Sequence, residues 1–389
     1  AWSHLAAESA LTSAREIDRA RQKTLLGGVP FGIKDIFDTA DMPTTYGSPI
    51  YTGCRPASDA SAAALPRAAG GILLGKTVTT EFANRQPGPT TNPHNPDFTP
   101  GGSSSGSAAA VADFMVPLAI GTQTGGSVIR PAAFCGVVGF KPSFGLFPPA
   151  GMRINTEALD TVGIMARSVG DIALFRAAMM AIPYAAPAIP QTAPRLGLCR
   201  GPHWNDAQPE GRAVLESAAE RLAAAGASVG ETELPPECAD ADEWQRVLGS
   251  FEGLRNHMPE LYRHEALLSP RLRDEKIALG RELTLEAFRS ACRGAEKARR
   301  AAQDWASGFD AILTLPAPGQ APRGLADTGS AVFNALWTQL YMPCVTLPAG
   351  RGPDGLPVGI QLVARRHADE PLLQAALWVE QRLGEGERQ

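Results

Sequence analysis

The sequence predicts an α/β fold built on a mixed or mostly parallel sheet, and three observations carry that expectation. Short apolar stretches of strand length alternate with segments of helical periodicity along most of the chain. One stretch is a compact βαβ-like unit: RLGLCRG, then the amphipathic PEGRAVLESAAERLAAAG, then ASVGETELP. The 389 residues are 44% hydrophobic and 20% charged, an ordinary globular composition with ample material for a core.

Taken in order, residues 1–24 read as a helix, with apolar and Ala positions spaced around Leu5, Leu11, Ala14 and Ile17. A short strand from Val29 to Ile33 then delivers Lys34 into a turn-rich loop. Residues 58–69 look helical, and GGILLGKT reads as a short buried strand. From Gln86 to Ser107 the chain is almost entirely Pro, Asn, Gly, Ser and Thr. AAAVADFM resumes a small-residue helix, PLAIGTQ a strand, and TGGSV a tight turn into the next helix. The βαβ-like unit follows, with its helix ending at Gly226, and a charged helical stretch covers about 242–308. DAILTLPAP, PCVTLPAG and LPVGIQLVA read as strands before a final helix from about 370. Gly and Pro sit between elements, so nothing divides the chain at the Gly/Ser segment.

Composition excludes several functions. The 36 Lys and Arg against 40 Asp and Glu give a net charge of −4, without the broad basic field of a nucleic-acid or anionic-membrane binder. No apolar run approaches the ~18–20 residues of a membrane span. The N-terminal residues lack the basic start and apolar core of a signal peptide. They also lack an initiator Met, consistent with an upstream segment removed or left out. Six scattered Cys form no disulfide framework and no CxxC, which points to a reducing, cytoplasmic compartment. Dispersed His residues without HExxH make a metal site unexpected. Lysine is rare, with six against thirty Arg, yet Lys34, Lys76 and Lys141 stand among the glycine-rich segments. Lysine can lose its proton when buried and arginine effectively cannot, so these lysines come first as site candidates.

Three motifs compete for the chemistry. Gly70–Thr77 matches the P-loop pattern, but a helix-like segment precedes it, and Ile72, Leu73 and Leu74 want burial where an open loop is needed. Gly102–Gly106 matches a G-x-S-x-G nucleophile elbow, but the preceding polar, proline-rich residues cannot form the strand that lifts such a serine. The third is the span GGSSSGSAAAVADFMVPLAIGTQTGGSVIRPAAFCGVVGFKPS, from Gly101 to Ser143. A flexible linker is not followed by so ordered a series of helix, strand and Gly-Gly turn. At Gly125-Gly126-Ser127 successive backbone N–H groups can converge on one oxyanion, and the serine there is a candidate nucleophile.

This span resembles the defining signature of the amidase signature family of serine hydrolases. GVPFGIKDIFDT is similar to the segment carrying that family's catalytic lysine, GGILLGKTVTTEFA to its next strand, and LPVGIQLVA with Asp369–Leu373 to its C-terminal end. The resemblance covers the chain from about residue 10 onward. It implies an α/β/α sandwich around a large mixed, mostly parallel sheet. One domain over 1–389 is expected, with core signature 28–170, a variable specificity region at about 190–310, and closing strands and helix at 310–385. It also implies no cofactor, a small-molecule amide substrate and a homodimer.

Carried over position by position, the resemblance makes Ser127 the nucleophile, Lys34 the base and Ser103 the bridging serine, which the family typically holds after a cis peptide bond. Ser104 is the nearest competitor for the bridging role. Thr124, Gly125, Gly126 and Ser127 would supply the oxyanion-hole N–H groups. The lysine must be neutral to accept a proton, well below its reference pKa of ~10.4, which burial can achieve. Bland alternatives stand beside these: a surface lysine near Asp35 and Asp38, and a helix N-cap for Ser103.

Two departures bear on substrate. Arg130 stands three residues after Ser127 where many members have it two after, and Gln123 replaces the more usual Asp. Both are similar to the malonamidase subgroup, in which the shifted arginine holds a substrate carboxylate. Arg130, with Ser104 and Gln123, is therefore a candidate substrate-binding residue, and malonamate a candidate substrate. Against that, Arg130 can cap a helix or pair with an internal acid. The rival functions are the ammonia-generating subunit of a glutamine-dependent tRNA amidotransferase and a hydrolase of aryl amides, urethanes or biuret-type compounds. Lys141 reads as structural and Cys135 as a small core residue.

Overall fold

A computed structural model of the protein describes residues 1–20 and 23–385. The elements run β1 (Trp2–Leu5), α1 (Ala7–Ala20), β2 (Pro30–Lys34), α2 (Ser61–Ala68), β3 (Ile72–Thr77), α3 (Ser105–Ala112), β4 (Leu118–Gln123) and α4 (Ile129–Cys135). They continue with β5 (Val138–Lys141), β6 (Thr161–Ala166), α5 (Val169–Met180), β7 (Arg195–Leu198), α6 (Pro209–Ala224) and β8 (Ser228–Glu231). Then come α7 (Ala241–Asn256), α8 (Met258–His264), a π-helical stretch (Arg271–Ile277), α9 (Ala278–Glu282) and α10 (Leu285–Ala306). The chain closes with β9 (Ala311–Thr314), α11 (Val332–Gln339), β10 (Cys344–Arg351), β11 (Pro357–Val363) and α12 (Asp369–Glu385).

All eleven strands join one mixed sheet in the order β1-β3-β2-β4-β6-β5-β10-β11-β9-β7-β8. Parallel pairing forms two blocks, β3-β2-β4 and β9-β7-β8, and antiparallel pairing links them through the centre. The period-two alternation of buried strands builds the layers. Ile120, Ile164, Leu313 and Leu362 enter the large core shared with α2, α5, α6 and α12. Their neighbours Ala119 and Met165 pack with α3 and α4 on the other face, where Ile312 and Val363 meet α10 and α11. This is the α/β/α sandwich expected from the sequence.

One element differs from the sequence reading. The helix expected over 1–24 begins only at Ala7, because Trp2–Leu5 pair antiparallel with β3 and cover the sheet edge. The Trp2 ring lies over Gly32 and Gly75, where a Cβ would meet it at 3.1–3.2 Å. Arg21 and Gln22, inside the expected helix, lie outside the described residues. The βαβ unit is β7-α6-β8, with its strands parallel as expected. Among the described residues no helix is long and apolar enough to cross a membrane.

Candidate active site

Two neighbouring strands carry the basic centre. Lys34 is the last residue of β2 and Thr122 stands near the end of β4, its parallel neighbour. The Lys34 side chain is fully buried, and its Nζ donates to Ser103 Oγ and to Thr122 Oγ1, each at 2.7 Å. Burial pulls its pKa down to about 7, while the charge of Asp160 pulls the other way. It is therefore not a surface lysine. The adjacent Asp35 does not hold it charged, since that carboxylate pairs with Lys76 at 3.1 Å and accepts from Thr45 Oγ1 at 2.6 Å. Lys76, the lysine of the P-loop-like pattern, lies on β3 and is spent on Asp35, the Phe37 carbonyl and Thr44. That segment is a buried strand.

Ser103 is buried at the end of the long irregular segment after Asn84, and the Gly102–Ser103 peptide is cis. It is not a helix cap: α3 starts at Ser105, with Ser104 in the cap position and no side-chain cap bond there. Ser104 N donates to the Ser127 carbonyl at 3.3 Å, which ties the bridging-serine segment to the Gly-Gly-Ser turn. That turn runs from the end of β4 into α4. Its carbonyls face the scaffold: Gly125 O accepts from Thr338 Oγ1 at 2.7 Å and Gly126 O from Arg130 N at 2.9 Å. In a trans peptide the N–H points opposite to the carbonyl, so the N–H groups of Gly126 and Ser127 are directed away from those contacts. The turn packs closely at Gly126, where a Cβ would meet the Asn334 side chain at 3.0–3.1 Å.

Asp160, before β6, fastens the same turn. It is half-buried and accepts from Thr124 Oγ1 and Asn155 N, each at 2.6 Å, and desolvation raises its pKa against the pull of those bonds. Ser127, Thr124, Gly125, Gly126 and Arg130 line one cavity of about 630 Å³. Arg130 is buried beneath it, with Nη2 donating to Gly102 O at 2.7 Å and to Thr328 Oγ1 at 3.1 Å. Its Nε is buried with no partner among the described residues. It neither caps a helix end nor pairs with an internal acid. Burial lowers its pKa to about 10, which keeps it charged at neutral pH.

Two expected substrate contacts are corrected. Ser104 and Gln123 are fully buried and do not line the cavity. Ser104 Oγ donates to Thr122 O and accepts from Thr122 N, both at 3.2 Å, beneath Gly121 where a Cβ would come within 2.6 Å of it. Gln123 Oε1 accepts from the N–H groups of Val128 and Ile129 at 2.9 and 3.0 Å, and its Nε2 donates to Thr338. A carboxamide has the donor and acceptors this bracing needs, and its full burial keeps it from a ligand. Lys141 bonds the Pro142 and Met342 carbonyls and Cys135 is buried, both as expected. Among the described residues no group of three or more His, Cys, Asp or Glu could hold a metal ion.

Thr122, Asp160, Asn155 and Lys276 were missed from sequence. Thr122 alone had a signal, its position in the strand leading to the Gly-Gly-Ser turn.

A buried lysine–serine contact beside a Gly-Gly-Ser turn, on an eleven-stranded α/β/α sandwich, defines the class as an amidase-type hydrolase. Residues 1–373 match the profile of the family described as Amidase, and the chain belongs to that family. It is 34% identical to a glutamyl-tRNA(Gln) amidotransferase subunit of Mycobacterium tuberculosis, over 96% of this chain and 88% of that relative. Among solved structures, an inhibitor-bound complex bearing on the origins of an s-triazine catabolic enzyme superposes with a TM-score of 0.90 at 27% identity, covering 98% of this chain and 91% of that one. A solved amidase superposes with a TM-score of 0.87 at 29% identity, over 98% and 92%.

Proposed function

We propose that the protein hydrolyses the C–N bond of a small carboxylate-bearing amide, using Ser127 as nucleophile, Ser103 as proton bridge and Lys34 as base. The observation that carries this is the 2.7 Å contact between Lys34 Nζ and Ser103 Oγ, buried beside the turn that presents Ser127 to the cavity. Neutral Lys34 takes the proton of Ser103 as Ser103 takes that of Ser127, and Ser127 Oγ bonds to the amide carbon. The N–H groups of the 124–127 turn receive the developing oxyanion. The relay then returns a proton to the departing amine as the C–N bond breaks, and water releases the acid from the acyl-enzyme. Arg130 anchors the substrate carboxylate: it lines the cavity with its charge in no ion pair among the described residues, and a guanidinium matches a carboxylate in two parallel bonds.

Two substrates fit this class. Glutamine is favoured by the relatives, since the tRNA amidotransferase relative is matched over 88% of its own length. In that reading the protein generates ammonia for a partner. Malonamate is favoured by the position of Arg130 three residues after Ser127. The likeness to the relatives weighs more than that spacing.

Ammonia release by the purified protein tests the proposal, with glutamine, malonamate, a neutral aliphatic amide and an aryl amide as substrates and Ser127→Ala as control. Release confined to carboxylated amides and absent in the control supports it. Activity only on neutral or aryl amides discards the carboxylate anchor, and activity surviving Ser127→Ala discards the nucleophile.

A further inference from the structure

Among the described residues six basic side chains line the cavity, and four of them are neutralised in place. Arg85 pairs with Glu275 at 3.3 Å, Arg246 with Glu243 at 2.6 Å, and Arg271 with Asp327 at 2.9 Å. His203 lies between Asp206 and Asp242, at 2.9 and 2.6 Å. The other two, Arg130 and Lys276, hydrogen-bond only neutral acceptors. Those of Arg130 are a carbonyl and a hydroxyl. Those of Lys276 are the amide oxygens of Asn155 at 2.7 Å and Asn84 at 3.1 Å.

Lys276 is a built position. It projects from the π-helical stretch Arg271–Ile277, a distortion that recurs at functional sites. Its stem lies on Gly253 of α7, where a Cβ would come within 2.4 Å of Lys276 Cε and push the lysine off its path. An ammonium has three donors, and the two asparagines take two of them. Burial draws its pKa down to about 8, and the charges of Asp160 and Glu252 work against that, so the ammonium prevails at neutral pH. A charge held this way, with neutral amides at its sides and an open cavity before it, is completed by an anion.

We propose that Lys276 binds a second substrate carboxylate, so that the protein acts on amides carrying two carboxylate groups, one for Arg130 and one for Lys276. This rests on Arg130 as the first anchor. The cavity of about 630 Å³ has room for such a molecule beyond what malonamate fills. Free glutamine, whose ammonium cancels its only carboxylate, brings no second carboxylate to Lys276.

The test compares two product analogues on the full chain by titration calorimetry. Tricarballylate is glutarate with one further carboxylate on its central carbon. The wild-type protein is expected to bind tricarballylate about tenfold or more tighter than glutarate, the gain of one charge-assisted contact. Lys276→Met is expected to erase that difference, and Lys276→Arg to restore most of it, which a structural role would not do. Equal affinities, no binding of tricarballylate, or a difference that survives Lys276→Met overturns the proposal. The wild-type comparison decides by itself should Lys276→Met fail to fold. Arg130→Gln separates the two readings. If it weakens both ligands, both anchors stand. If it changes neither while the Lys276-dependent difference stays, Arg130 falls and Lys276 remains.

Discussion

Asp35 is paired with Lys76, 3.1 Å away on the neighbouring strand, and not with Lys34, the residue before it in sequence. All three side chains are buried, so the choice of partner sets the chemistry. With Asp35 committed, Lys34 contacts only hydroxyls and nothing in direct contact fixes its proton. Lys76→Met is expected to destabilise the protein by about 3–5 kcal/mol, because it strands a buried carboxylate. Asp35→Asn combined with Lys76→Met is expected to recover part of that loss. Urea unfolding of the single and double variants measures both, and a single-variant loss under about 1 kcal/mol would contradict the pairing.

Lys34 makes activity and stability depend on pH with the same sign. A base must be neutral, so kcat/KM for an amide should rise with pH around 7 and level off above it, as the buried lysine sheds its proton. In the unfolded chain that lysine holds its proton up to about 10.5. Between these values the unfolded state binds more protons, so this group raises the unfolding free energy as pH rises, by about 1.4 kcal/mol per pH unit. Lys34→Met should flatten that slope. It should also cut amide turnover by about a hundredfold or more, and ester hydrolysis far less, since an ester's leaving group needs less protonation. Equal pH slopes in the two proteins would place the Lys34 pKa elsewhere.

What is legible in the sequence follows from how few readings a residue allows. Ser127 stands out because a serine after two glycines at a strand–helix turn has few structural explanations, whereas rarity alone raises Lys34, Lys76 and Lys141 together and only the resemblance picks out Lys34. The strands and the βαβ unit are legible from period and length. Asp160 and Asn155 are not, being ordinary polar residues in a loop, and Asn84 meets Lys276 across 192 positions. Such partners are chosen by tertiary pairing, which leaves no local period. Gln123 misleads for a related reason: its departure from the usual Asp suggests a ligand contact, yet it is buried bracing the turn. Trp2–Leu5 reads as helix because the sheet edge it covers lies some seventy residues further along the chain.

Thr124 reports on how rigidly the turn is held. Its hydroxyl donates to Asp160 at 2.6 Å, a bond to a half-buried carboxylate that also receives two backbone N–H groups. Thr124→Val keeps the shape and removes the donor. A bond to a charged group is worth about 1.5–3 kcal/mol, so the turn loosens and kcat should fall about tenfold or more, with KM changing less. Asp160→Asn, which loses the acceptor on one side only, should cost less. Steady-state kinetics decide this, and a change in KM alone would move Thr124 from the oxyanion turn to substrate binding.

Arg130 serves two ends, and the variants should separate them. Toward the protein, its Nη2 holds Gly102 O and Thr328 Oγ1, and so supports the peptide that leads into Ser103. Toward the cavity, its charge, in no ion pair among the described residues, awaits a carboxylate. Arg130→Ala loses both and should lower kcat as well as raise KM. Arg130→Lys keeps the charge and can reach one of the two scaffold oxygens, but loses the planar fork that fits a carboxylate. Its KM for carboxylated amides should therefore rise about tenfold or more while kcat stays nearer the wild-type value. KM for neutral amides should move little in both variants. Should KM for neutral and carboxylated amides rise equally in Arg130→Lys, the arginine acts through the Gly102 peptide alone and is not the carboxylate anchor.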